Sequence, residues 1–145
     1  MEFVKNYFRN RTLGFWLAFG AAVLAFVSSI VYIIVYLATA GSAIDRVFSP
    51  LTFAMMLVGS LTAVAAEQLG FRFGRLVPAA FYSVAVAYHF MQTMYPMADA
   101  ITGVAFLGGN LTLALIFGIL FAVSAIVNII SCFLGDKVAE SGSDV

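Results

Sequence analysis

Four apolar stretches, each long enough to cross a lipid bilayer as a helix, fill most of the 145-residue chain, and only short polar connections separate them. A hydrocarbon core about 30 Å thick requires roughly 20 consecutive apolar residues per helical crossing. Lipid offers no partner to an exposed N–H or C=O, so such a stretch must close its backbone hydrogen bonds internally, as a helix does. The balance of residues agrees: 63% are hydrophobic and 10% charged, with a mean hydropathy of +1.07, whereas soluble domains carry about 25% charged residues. The expected fold class is an all-α integral membrane protein, a four-transmembrane-helix bundle preceded by a short N-terminal amphipathic interfacial helix.

Boundaries follow from local chemistry. In residues 1–12, Phe3, Val4, Tyr7 and Phe8 share one helical face and Glu2, Lys5 and Arg9 the other, the pattern of a helix lying among lipid headgroups. Thr12 is then placed to cap the first span. The transmembrane domain is expected over 13–135, with spans at about 13–40, 51–69, 76–95 and 101–134, and residues 136–145 form a mobile polar tail. Gly41-Ser42 closes the first span. Ser49-Pro50 opens the second, with an N-capping hydroxyl and a proline at the first helical position, and Gly70 ends it. Pro78 falls in the first turn of the third span, where a missing N–H costs little. Pro96 is read as its end, and Asp99 as the cap of the fourth span, which stops at Gly135-Asp136. The first apolar run exceeds the 7–15 residues of a signal-peptide core, so it is expected to remain as a span.

Lys5, Arg9, Arg11, Arg72, Arg75 and Lys137 fall on one side of this arrangement and Arg46 alone on the other. By the positive-inside rule both termini are cytoplasmic, and the expected location is a multi-pass position in a plasma membrane of the bacterial type. The lipid bilayer is thus the first partner. A homo-oligomer or other membrane subunits are the second. A net charge of zero provides no basic surface for nucleic acid. Cys132, the single cysteine, has no partner within the chain for a disulfide.

Helices in lipid associate through small residues and polar contacts. Residues suited to helix packing recur at helical spacing: Ala21 and Ala25 in the first span, Gly59 and Ala63 in the second, Ala79 and Ser83 in the third, Gly118 and Ala122 in the fourth. Asn110 and Asn128 lie eighteen positions apart, about five turns at roughly 3.6 residues each, and so should share a face.

His89 is the only histidine, and Glu67 the only carboxylate inside an expected span. An ionisable group at membrane depth is costly and often functional. Counted from the outer end of its span, His89 lies roughly 10 Å deep at about 1.5 Å per residue, with Asn110, Gln92, Tyr32 and Tyr36 at a similar level. Of these, His89, Asn110, Gln92 and Tyr32 form, with Glu67, the candidate ligand-binding set. The competing reading of His89 is a neutral ring bonded to a neighbouring helix. For Glu67 it is an interfacial ion pair with Arg72 or Arg75. Gly108-Gly109 could break the fourth span, as in transporters. A zinc site needs about four ligands, so neither metal nor cofactor is expected, and without a nucleophile–base pair no enzyme activity is expected. Transport of a small solute or ion, as an oligomer or a subunit, is the favoured expectation. The alternative is a non-catalytic accessory, scaffold or assembly subunit of a larger membrane complex.

Overall fold

The computed structural model describes residues 12–38, 47–69, 74–104 and 109–134, with side chains of 67–69 excepted. The interfacial segment, Gly41-Ser42, Asp45, Arg46, Gly70, Arg72, Gly108 and the polar tail lie outside the described residues. Four helices account for nearly all that is described: α1 (Leu13–Ala38), α2 (Pro50–Leu69), α3 (Leu76–Thr102) and α4 (Leu111–Phe133). Among the described residues there is no strand.

Each helix packs on two others. α1 lies against α2 and α4, and α3 also lies against α2 and α4, so the four close into a ring. Contacts at the ends fix the directions. Gly14, at the start of α1, meets Arg75 and Leu134, which flank the start of α3 and the end of α4. Tyr32, late in α1, bonds to Val47 and Ser49 just before α2. Successive helices therefore alternate in direction, as short connections require.

Helix starts and stops follow the capping rules in some places and depart from the sequence expectation in others. α2 begins at Pro50, and the Ser49 hydroxyl accepts from Thr52 N–H at 3.3 Å. Thr12, by contrast, does not cap α1 with its side chain: its hydroxyl is buried and finds no partner among the described residues. The third helix does not end at Tyr95. It runs through Pro96 to Thr102 and stops where Gly103 takes a left-handed conformation (φ 70°), its N–H bonded to Asp99 O at 3.0 Å. That is a glycine C-cap. Pro96 removes one N–H from the helix, but its ring is buried against Gly109, where even a Cβ would come within 2.6 Å. Packing there holds the turn that the proline weakens. Asp99 consequently belongs to the last turn of α3 rather than capping α4. Asn110 is the N-cap of α4, accepting from Leu113 N–H at 3.1 Å.

The radial distribution of side chains is the reverse of a water-soluble bundle. Small and polar residues fill the interior: Ala18, Ala21, Ala25 and Ser29 on α1; Thr52 and Ser60 on α2; Tyr82, His89 and Thr93 on α3; Ser124, Asn128 and Ser131 on α4. Large aliphatics point outward, with Leu13, Ile34, Leu37, Leu61 and Ile119 all more than half exposed. Soluble proteins seldom show contiguous apolar surface on this scale. Two helices, α1 and α4, are by length and composition able to span a membrane.

Buried hydroxyls are satisfied mostly within their own helices. Ser29, Ser60, Thr93 and Ser124 each donate to the carbonyl four residues earlier, at 2.6 to 2.9 Å. Such back-bonding lets serine and threonine fill tight space without an unsatisfied O–H. Close approach is greatest between α2 and α3, where Gly59 lies under the Tyr82 ring and a Cβ would sit 2.6 Å from Tyr82 Cε1.

Ala21, Ala25, Gly59, Ala63, Ala79 and Gly118 are buried in these contacts, while Ala122 is half-buried. Ser83 is exposed. The buried side of α3 is instead Pro78, Ala79, Tyr82, Ala85, His89, Thr93 and Pro96. The small-residue stripe and the polar line compete for the inside of that helix. From Tyr82 onward the polar line takes it.

Candidate functional site

Two clusters of polar side chains tie the helices together, one toward each end of the ring. The first surrounds His89. This residue has no exposed surface, and its Nε2 lies 2.9 Å from the carbonyl oxygen of Ala114 in the first turn of α4. A carbonyl only accepts, so Nε2 carries the proton and donates; in the neutral ring Nδ1 is then a bare acceptor. Nδ1 is buried and has no partner among the described residues.

Aromatic rings enclose the imidazole. The Phe121 centroid is 5.3 Å away at 87°, Tyr32 is 6.0 Å away at 70°, and Phe90 is 6.1 Å away at 71°. These near-perpendicular arrangements suit edge-to-face aromatic contact. Gly118 faces the ring, and a Cβ there would make an ordinary van der Waals contact, 3.5 Å from His89 Cδ2.

Tyr32 is the partner that joins this cluster to α1 and α2. Its hydroxyl donates to Val47 O at 2.8 Å and accepts from Ser49 N–H at 2.9 Å, so both capacities of the O–H are used to hold the chain entering α2. The Tyr32 ring packs at 4.8 Å on Phe117 and 4.9 Å on Phe48, and Phe48 in turn stacks at 3.9 Å on Tyr36. Beside these rings a cavity of about 10 Å³ remains, lined by Tyr32, Val35, Tyr36, Val47, Phe48, Leu113 and Phe117, room for about one water molecule.

The structure brings His89 and Tyr32 together and leaves Asn110 and Gln92 apart from them. Asn110 is exposed and occupied as the α4 cap; it lies four residues before Ala114, so it is about one turn away from the level of His89. Gln92 is exposed on the outside of α3. The backbone of Glu67 belongs to the last turn of α2, and its side chain lies outside the described residues. Among the described residues no three histidine, cysteine or acidic side chains gather where a metal could bind.

The second cluster was not foreseen. Arg75, read from the sequence as a cytoplasmic charge and a possible ion-pair partner of Glu67, is nearly buried. Its Nη1 donates to Ser131 O and Leu134 O, both at 3.2 Å. A guanidinium from α3 therefore closes the C-terminus of α4, satisfying carbonyls that a helix end leaves open and opposing the negative end of its dipole. Asn128 Nδ2 donates back to Arg75 O at 3.3 Å, and Cys132 Sγ donates to the same oxygen at 3.4 Å. The sequence carried no specific signal for this cap, since none of the four helices has a basic residue in its last turn. Among the described residues, Tyr82 Oη and Asn128 Oδ1 are also buried without a partner, as are Thr12 Oγ1 and His89 Nδ1.

Comparison with known protein families, with curated proteins and with solved structures finds no match to this chain.

Proposed function

We propose that the chain is a four-pass integral membrane protein that serves as a non-catalytic accessory or scaffold subunit of a larger membrane assembly. The membrane part of this reading draws on the reversed interior and exterior. α1 and α4 meet the length and apolarity of a span, and α2 and α3 are held antiparallel between them in one ring. The count of lysine and arginine puts Arg75 and both termini on the cytoplasmic side.

One observation carries the subunit part. Three of the five side chains expected to bind a ligand are engaged with the protein's own backbone: His89 with Ala114, Tyr32 with Val47 and Ser49, Asn110 with Leu113. His89, Tyr82, Phe121 and Met56 fill the space between helices with no exposed surface. A bundle stitched in this way is suited to presenting a rigid apolar exterior to lipid and to other helices.

Transport by an assembly of several copies is the second reading. It is favoured by the two unpartnered atoms His89 Nδ1 and Tyr82 Oη, seven residues and so about two turns apart on one side of α3. Native mass spectrometry of the protein extracted gently from its own membrane separates the two. The subunit reading expects a stoichiometric complex with a different protein. A homo-oligomer retaining a small molecule or ion would overturn it in favour of transport.

A further inference from the structure

Aromatic rings mark both ends of the bundle. Trp16, outward at the start of α1, is held edge-on between Phe15 and Phe19, with ring centroids 5.8 and 6.5 Å away. At the far end Tyr36 stacks on Phe48, and Tyr95 faces outward. We infer that these rings lie at the two faces of the hydrocarbon layer, Trp16 at one and Tyr36 with Tyr95 at the other. The last turns of α3, residues 96–102, then stand beyond that layer among the lipid headgroups. The inference rests on the membrane reading above and gives it a depth.

Two lengths carry it. Tyr36 follows Trp16 by twenty positions on one helix, about 30 Å at roughly 1.5 Å per residue, which equals the thickness of a hydrocarbon core. On α3, Tyr95 follows Arg75 by the same twenty positions. Contact between the Tyr32 and His89 rings sets α1 and α3 in register. Tyr36 is four positions past the first and Tyr95 six past the second, so the two fall within about 3 Å of one level. Tryptophan and tyrosine gather where acyl chains meet headgroups, because each joins an apolar ring to a polar atom.

Charge keeps to the same boundaries. Neither α1 nor α4 contains a charged residue, and Arg75 and Asp99 enclose a stretch of α3 without one. α3 has 27 residues, about 40 Å, and so exceeds the layer by roughly 10 Å. Its start is fixed beside the end of α4 by the two Arg75 bonds, which puts the excess past Tyr95. That segment holds Asp99 and the exposed Thr102. A lateral neighbour, lipid or protein, leaves this depth unchanged.

Trp16 is the chain's single tryptophan, so its fluorescence reports depth without any substitution. The full-length protein is reconstituted in phosphatidylcholine vesicles whose acyl chains carry bromine either close to the headgroup or close to the chain end, and is recovered by flotation. Bromine close to the headgroup is expected to quench Trp16 several-fold more than bromine near the chain end. Three reporters in a Trp16→Phe background extend the reading. Tyr95→Trp should repeat the Trp16 pattern. Phe26→Trp, outward and ten positions past Trp16, should reverse it. Ile101→Trp, at a position 85% exposed, should respond to aqueous iodide on both faces more than to either lipid. If a variant fails to fold, the native Trp16 profile decides. Stronger quenching of Trp16 or of Tyr95→Trp from the chain end overturns the proposal, as does an Ile101→Trp reporter shielded from iodide. Protein that does not float overturns the membrane reading as well, whereas protein that floats with a deep Trp16 overturns this proposal alone.

Discussion

The two ends of the bundle are fastened by different chemistry. Near His89, the fastening is neutral and shared: two ring side chains, Tyr32 and His89, reach backbone groups of adjoining segments while Phe48, Phe117 and Phe121 pack around them. Near Arg75 a single cation closes one helix end and receives two bonds in return on its own carbonyl. Distributed contacts lose little when one is removed. A hub loses most of what it holds.

The largest expected effect is accordingly at the hub. Arg75→Ala removes both carbonyl bonds, and hydrogen bonds to charged groups contribute about 1.5–3 kcal/mol, so a loss of about 3 kcal/mol is expected for the variant, read as thermal unfolding in detergent. A fall smaller than that of any single change at the His89 end would break the comparison. Next in size is the pair Tyr32→Phe and His89→Phe. Each keeps a ring in place and loses only polar contacts, about 1 kcal/mol per variant. Because the two rings touch, the double variant should depart from additivity by about 0.5 kcal/mol or more; strict additivity would mean that the aromatic cluster does not act as a unit. The smallest effect belongs to Asn128→Leu. Arg75 O keeps its Cys132 contact and an unsatisfied Oδ1 is removed, so the change should stay below about 1 kcal/mol. A loss as large as that of Arg75→Ala would make Asn128, not Arg75, the centre of that end.

Local chemistry was readable wherever it was self-contained. Ser49-Pro50 announces the start of α2 because the capping hydroxyl and the proline act on their own turn. Pro96 misleads for the opposite reason. A proline is a helix breaker by local rules, but here Gly109, thirteen residues on, packs against its ring, and the true stop is Gly103. Once α3 extends to Thr102, α4 begins at Leu111, and Asn110 leaves the interior for a cap. Its shared face with Asn128 is lost with that shift, because the periodicity argument assumed helical backbone at Asn110, which is extended at the N-cap (φ −108°, ψ 99°). His89 and Tyr32 were legible as buried polar groups, since aromatic and ionisable side chains at membrane depth seek partners. Their acceptors were not legible: a backbone carbonyl at Ala114 or Val47 carries no mark in a sequence. Arg75 was hidden by its position in a connection, where counting charges is informative about sidedness and silent about contacts.

The direction of the cross-links has a consequence for the order in which the helices can be completed. Ser29, Ser60 and Ser124 close their hydroxyls within their own helices, so those side chains are satisfied before any neighbour arrives. α3 depends on a segment made after it: its two buried ionisable side chains, Arg75 and His89, find acceptors on α4 or at its end. A nascent chain ending before Leu111 would lack the carbonyls of Ala114, Ser131 and Leu134, and docking of α4 is the step that supplies them.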